Sequence, residues 1–279
     1  MSAATRVLII SRGSGSMTPQ VEEKLRKAFA DYLIVDFDPK ADIEKLVTPQ
    51  ARIVVAGGDG SVEFMVRKLA DSLHPIGIMP LGTYNNLARA LRLPLELNPA
   101  IEVARDGHPR AITLGRVNDH IFVEACAIGL FGQTIALGES AKDKAFGKIP
   151  ARVKDVMAAR RFRYELHGDL EGHGSAMSLV FSNTATIGSQ LPVSDANPTK
   201  PYLEFSVYAG RSRTDIVGRT VKSMVLKQHE EPTDQVFRFH RVEVKTKPGV
   251  RVYADNMHVG RTPATVTAET SAVKVVLPK

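Results

Sequence analysis

Val54-Val55-Ala56-Gly57-Gly58-Asp59-Gly60-Ser61 joins an apolar, β-branched run to a cluster of glycines around one carboxylate. Arg52–Ala56 reads as a buried strand. Beyond the glycines, Val62, Val66, Leu69 and Leu73 recur at helical spacing, so a helix is expected over Val62–Leu73. A strand that feeds a helix through glycines suits an anion. Without Cβ atoms the backbone can approach a ligand closely, and successive N–H groups can converge on it.

The same arrangement recurs on either side. Upstream, the strand Arg6–Ile10 runs into Ser11-Arg12-Gly13-Ser14-Gly15-Ser16 and a helix over Gln20–Ala30. A strand Tyr32–Phe37 and a short helix Asp42–Val47 follow. Downstream, the strand Ile76–Met79 runs into Pro80-Leu81-Gly82-Thr83-Tyr84-Asn85-Asn86 and a helix over Asn85–Leu93. Strands alternating with helices predict a parallel sheet covered on both faces. All strand carboxyl ends then share one edge, where such folds bind ligands. Each loop is expected to feed a helix N-terminus, whose free donors favour phosphate. The candidate nucleotide-binding residues are Ser14, Gly15, Gly57, Gly58, Asp59, Gly60, Ser61, Glu63, Gly82, Thr83 and Asn85. A carboxylate is out of place in an anion site unless it shares a cation with the phosphates, so Asp59 is the expected ligand of a Mg²⁺ ion. Neither a Walker sequence nor a G-x-G-x-x-G fingerprint is present.

After about residue 108 the pattern changes to alternating, strand-like runs, clearest in Arg238–Lys245. The strands expected here include Ile121–Ala127, Phe162–His167, Met177–Ser182, Leu203–Tyr208, Val236–Thr246, Val250–Ala254, Thr265–Thr267 and Ala272–Leu277. Helical insertions are expected over Ala141–Ala159 and Arg213–Leu226. The expected organisation is an α/β nucleotide-binding domain over 1–108 and a mainly β domain over 109–267.

Composition limits the class. With 43% hydrophobic and 24% charged residues in 279, the chain is neither disordered nor fibrous. No apolar run nears the ~18–20 residues of a membrane span. Val7–Ile10 is too short for a secretion signal, and a single cysteine, Cys126, leaves no disulfide framework, so a cytoplasmic protein is expected. A net charge of +7 favours anionic partners in general.

Taken with Ala127-Ile128-Gly129-Leu130-Phe131-Gly132, Asn183, Tyr253-Ala254-Asp255 and Arg261-Thr262-Pro263, the glycine motifs resemble the catalytic domain shared by diacylglycerol kinases, sphingosine kinases and bacterial lipid kinases. The resemblance covers nearly the whole chain. It implies a diacylglycerol kinase/NAD kinase-like fold: an N-terminal parallel-sheet domain followed by a β sandwich, with the last strand, 268–279, returning to the first domain. It further implies ATP, Mg²⁺ and a lipid alcohol such as diacylglycerol, with headgroup and nucleotide meeting in a cleft, at the inner membrane face.

This chain departs from the pattern at several points. Ser11-Arg12 replaces Asn-Pro, Glu63-Phe64 replaces Asn-Glu, Asn85-Asn86 replaces Asn-Asp, and Thr199-Lys200-Pro201 replaces an acidic stretch. The closing Asp-Gly-Glu, whose Glu serves the family as base, is Asp255-Asn256-Met257. Asp255, Glu63 and Glu124 remain as substitutes, Asp255 being nearest in sequence. The catalytic candidates are therefore Asp59 and Asp255. Two alternatives stay open: a binding module without turnover, and a kinase for a soluble nucleotide such as NAD.

Other features carry less. His167, Asp169, Glu171 and His173 alternate like metal ligands, but the glycines between them favour a polar hairpin. The basic stretch Lys142–Arg163 suits either an anionic membrane or a solvated helix face, and it lacks the stacking aromatics of a nucleic-acid surface.

Overall fold

The structure is a computed structural model that describes residues 4–132, 160–188, 191–208 and 236–279. The expected helices over Ala141–Ala159 and Arg213–Leu226 lie outside these residues, as does most of the basic stretch. The chain forms two compact units, Met1–Ile112 with Thr270–Lys279, and Thr113–Glu269.

In the first unit the order is β1 (Ala4–Ile10), α1 (Pro19–Ala28), β2 (Leu33–Asp36), a 3₁₀ turn (Ile43–Leu46), β3 (Val47–Gly57), α2 (Asp59–Lys68), β4 (Pro75–Pro80), α3 (Asn86–Ala90), α4 (Leu97–Asp106) and the start of β5 (His108–Val117). The sheet is parallel in the order β2-β1-β3-β4. The chain steps outward from β1 to β2, then returns past β1 to β3, so the topological switch point lies between β1 and β3.

Both sheet faces are covered. Leu8, Ile10, Val54, Ala56 and Met79 form one core with Leu25 and Phe29 of α1 and Ala100, Ile101 and Ala104 of α4. The alternate residues Val7, Ile9, Ile53, Val55, Ile76 and Ile78 are buried as well. Period-2 runs that are apolar at every position are the mark of such a doubly covered sheet.

Side chains close some of the helix ends. Thr18 caps α1 by accepting from the Val21 N–H at 3.2 Å, with Pro19 following at the first helical position. Arg52 of β3 closes the other end of α4, donating to the carbonyls of Ala104 at 3.2 Å, Gly107 at 3.3 Å and Arg105. The sequence reading passed over α4, although Ala100, Ile101 and Ala104 have helical spacing.

The second unit takes β5 into β6 (His120–Phe122), β7 (Ala125–Gly129), β8 (Phe162–Gly168), β9 (Gly172–Ala176), β10 (Ser178–Ser182), β11 (Thr186–Ile187), β12 (Leu191–Pro192), β13 (Leu203–Tyr208), β14 (Val236–Phe239), β15 (Arg241–Lys247), β16 (Arg251–Ala254), β17 (Met257–Arg261) and β18 (Ala264–Leu277). One antiparallel sheet runs β14-β13-β10-β7-β16-β17. A second antiparallel set joins the first part of β18 to β15, β8 and β9. Phe181, Phe205, Ile128 and Val252 of the former share a core with Phe162, Leu166, Val242 and Val266 of the latter. Two antiparallel layers closing on one core make a sandwich.

The remaining differences from expectation have local causes. Val236–Thr246 is two strands in different sheets, because the chain turns at His240, where Asp169 accepts from the N–H groups of His240 (2.7 Å) and Arg241 (3.0 Å). Thr265–Thr267 and Ala272–Leu277 are one strand, β18, whose last part pairs parallel to β4 in the first unit through Lys274–Pro75 and Val275–Ile76. The hairpin expected around Gly168–Gly174 is formed by β8 and β9. Among the described residues no helix is long and apolar enough to cross a membrane.

Candidate phosphate-binding site

The three glycine turns meet at the carboxyl edge of the first unit's sheet. Gly57 ends β3, and a Cβ there would come within 2.9 Å of Ser61 Cβ and 3.3 Å of Ser11 Cβ. Gly58 is extended and starts α2 at Asp59, three residues before the helix expected from the sequence. Gly60 and Ser61 are thus the first turn of a helix rather than loop residues. Gly82 lies backbone to backbone against the second turn: a Cβ on it would meet Gly58 Cα at 2.8 Å and Asp59 N at 3.0 Å.

Hydroxyl groups tie the turns together. Ser14 Oγ donates to Ser11 O at 2.8 Å and accepts from Gly58 N at 2.9 Å. Ser61 Oγ donates to Ser11 Oγ at 2.9 Å. Ser16 N donates to Leu81 O at 3.0 Å, and Leu81 N to Gly57 O at 2.9 Å. Ser11, which the sequence reading marked only as a departure, is the hub of this network. Ser14 is a local partner, but Ser61 is 50 residues away, so no local pattern announces that link.

Asp59 faces the third turn. Its carboxylate accepts from Asn85 N at 3.0 Å and from Asn86 N at 2.8 Å. Asn85 is left-handed (φ 54, ψ 46), and its side chain closes a ring by accepting from Gly82 N at 2.8 Å and donating to Gly82 O at 2.9 Å. Among the described residues no group of three or more His, Cys, Asp or Glu is placed to hold a metal. Glu63 is buried one turn into α2 and pairs with Arg67 at 3.4 Å.

Not every helix N-terminus behaves as expected. The start of α1 is closed by Thr18, and the first N–H of α3 goes to Asp59. The start of α2 differs. Among the described residues, the N–H groups of Gly13, Gly15, Asp59, Gly60 and Thr83 have no protein acceptor. Gly13, Gly15, Gly60 and Thr83 are exposed, and a Cβ on Gly13 or Gly60 would meet no protein atom within 4 Å. At those two positions protein packing does not require glycine, and the unfilled space suits a ligand. Open N–H groups beside the switch point, at the positive end of a helix dipole, suit phosphate oxygens.

Asp255 lies in the second unit. It is buried and left-handed (φ 49), and its carboxylate accepts from Val123 N (3.0 and 3.2 Å), Glu124 N (2.8 Å) and Ala125 N (3.2 Å). Met257 is 41% exposed at the start of β17. Glu124 is buried and accepts from Gly188 N at 2.8 Å. Asn183 is fully buried, its amide donating to Thr113 O and Val123 O at 2.9 Å each. Cys126 is buried beyond reach of solvent, and burial pushes its thiol far above the ordinary range. It is a core residue.

Fold and site together define a protein of the diacylglycerol kinase/NAD kinase-like α/β class. The comparisons with known proteins agree. Residues 9–117 match the diacylglycerol kinase catalytic domain. A Yersinia pestis protein named "Probable lipid kinase YegS-like" is 30% identical over 208 residues, which is 68% of this chain and 70% of the relative. The crystal structure of a diacylglycerol kinase from Bacillus anthracis has a TM-score of 0.73 at 18% identity, covering 99% of this chain and 98% of that one. An NAD kinase from Archaeoglobus fulgidus, in complex with ATP, has a TM-score of 0.56 at 14% identity, covering 98% and 93%. The two solved structures share the fold. The chain belongs to the diacylglycerol kinase catalytic-domain family.

Proposed function

We propose that the protein is an ATP-dependent lipid kinase that transfers the γ-phosphoryl group to an alcohol such as diacylglycerol. The supporting observation is the set of N–H groups at Gly13, Gly15, Asp59, Gly60 and Thr83 around the start of α2 that have no protein acceptor among the described residues. They would take the phosphate oxygens, with the hydroxyl of Thr83 beside them. Phosphoryl transfer has a loose transition state, so most of its catalysis comes from positioning and charge stabilisation, which fixed backbone donors supply. Mg²⁺ keeps most of its own waters and binds chiefly through phosphates, supplying charge neutralisation when it enters with ATP. Asp59, whose own N–H is one of these donors, keeps lone pairs beyond the two given to Asn85 and Asn86. An anionic membrane surface is the proposed place of action, with exposed Arg160, Arg161 and Arg163 as the described part of the basic stretch.

The test is transfer from γ-labelled ATP with Mg²⁺ to a panel of lipid alcohols, with NAD as a competing acceptor. A labelled lipid product is expected. Labelled NADP alone would overturn the lipid reading.

A second reading is a nucleotide- and lipid-binding protein without turnover. It is favoured by the three N–H groups that occupy Asp255, the candidate base, and by the apolar side chain of Met257. A Met257→Glu variant separates the two. Turnover created from nothing supports the binding module, whereas wild-type turnover supports the kinase.

A further inference from the structure

We infer that Asp59 is a positioning residue, whose charged carboxylate clamps the turn between β4 and α3 and so assembles the anion site it borders. This rests on the reading that the glycine turns hold ATP phosphates. Each carboxylate oxygen takes one backbone N–H, from Asn85 at 3.0 Å and Asn86 at 2.8 Å, residues 26 and 27 positions away. Hydrogen bonds to a charged acceptor are about twice as strong as neutral ones. Asn85 completes the clamp. Its left-handed backbone, a conformation asparagine tolerates, turns the chain so that its own amide closes the ring with Gly82 at 2.8 and 2.9 Å. Between the ring and Asp59 the shape of 82–86 is fixed, and Thr83 is left exposed at the apex. There its hydroxyl would stand 3.3 Å from a Cβ on Gly15 of the first turn.

The sign of one effect distinguishes this role from the others. A carboxylate that merely borders an anion site repels a triphosphate, and removing it tightens metal-free ATP. A metal ligand matters only when Mg²⁺ is present. A base affects turnover and leaves nucleotide affinity alone. A clamp behaves differently from all three, because without it the turn loosens and ATP weakens whether or not metal is present.

The experiment is calorimetric titration of ATP into the full chain, once with Mg²⁺ and once with chelator, for wild type, Asp59→Asn, Asp59→Ala and Asn85→Gly, each checked for folding by thermal unfolding. Asp59→Ala and Asn85→Gly are expected to raise Kd by about tenfold or more under both conditions, the equivalent of losing roughly one charge-assisted bond in the first and the two neutral bonds to Gly82 in the second. Asp59→Asn, which keeps one acceptor, should fall between them and wild type. Tighter or unchanged metal-free binding in Asp59→Ala overturns the clamp, as does weakening confined to Mg²⁺. Asn85→Gly keeps the N–H that Asp59 accepts and so reports on the Gly82 ring alone; if Asp59→Ala does not fold, Asp59→Asn decides the matter, and metal-free binding of wild-type strength there overturns the clamp. If wild type binds no ATP in either condition, the nucleotide reading fails. The clamp is then judged by hydrogen exchange at the Asn85 and Asn86 amides: protection lost in Asp59→Ala upholds it, and unchanged protection overturns it.

Discussion

Gly82 and Gly58 touch through their backbones: a Cβ on Gly82 would stand 2.8 Å from Gly58 Cα. Gly58 Cα and Asp59 N, at 3.0 Å, are backbone atoms and Asn85 Oδ1, at 2.9 Å, is held by Gly82 itself, so the added methyl of Gly82→Ala must push two turns apart. Overpacking of this kind costs about 1–3 kcal/mol. A lower denaturant midpoint is expected. Gly60→Ala meets no protein atom within 4 Å at a helical position and should unfold at or above the wild-type midpoint.

Asp255 predicts the cost of emptying a buried acceptor. Asp255→Ala leaves the N–H groups of Val123, Glu124 and Ala125 without it. We expect a loss of about 3–5 kcal/mol in equilibrium unfolding, as when one partner of a buried charged pair is removed. A wild-type midpoint would mean these bonds are replaced by water.

Glu22 sets a pH dependence. Its carboxylate is pulled from an ordinary 4.5 down to about 2, chiefly by hydrogen bonds from Arg12 and then Arg26. A carboxyl depressed in the folded state contributes stability that is complete above about 4.5 and is lost as pH falls toward about 2. The group is only partly buried and its partners are exposed, so the contribution is screened and shrinks with salt. Arg12→Gln is expected to reduce the fall in stability between these pH values at low ionic strength, measured by urea unfolding at each pH. An identical profile would contradict the pairing.

Arg52 is expected to carry part of the stability of α4. Arg52→Met keeps the apolar stem and removes the donors to Ala104, Arg105 and Gly107. Loss of a charged group at a helix C-terminus costs about 1–2 kcal/mol. Faster hydrogen exchange in 97–106 than in the rest of the first unit is the sign to look for.

Much of this was legible in the sequence because its cause is local. Alternating strands and helices give the parallel sheet, and Gly57-Gly58-Asp59-Gly60 marks a turn where backbone segments pack closely. The partners of Asp59 were not legible: its charge suggested a metal, whereas two backbone amides beyond the next strand take both oxygens. The start of α2 was misplaced for a related reason. Three glycines in four residues look like a loop, but Gly58 alone makes the turn, and Gly60 can sit in a helix whose first N–H groups have no acceptor among the described residues. The break at His240 depends on Asp169, a residue 71 positions away, and no period in Val236–Lys247 reveals it.

The measurement that bears most directly on the account is ATP affinity in Gly60→Ala. The methyl group enters space that no protein atom fills, at the start of α2, so it should obstruct phosphate without disturbing the fold. The account predicts ATP binding weakened by about tenfold or more, or roughly 1.4 kcal/mol, at an unfolding midpoint no lower than wild type. Wild-type affinity in that variant would contradict it.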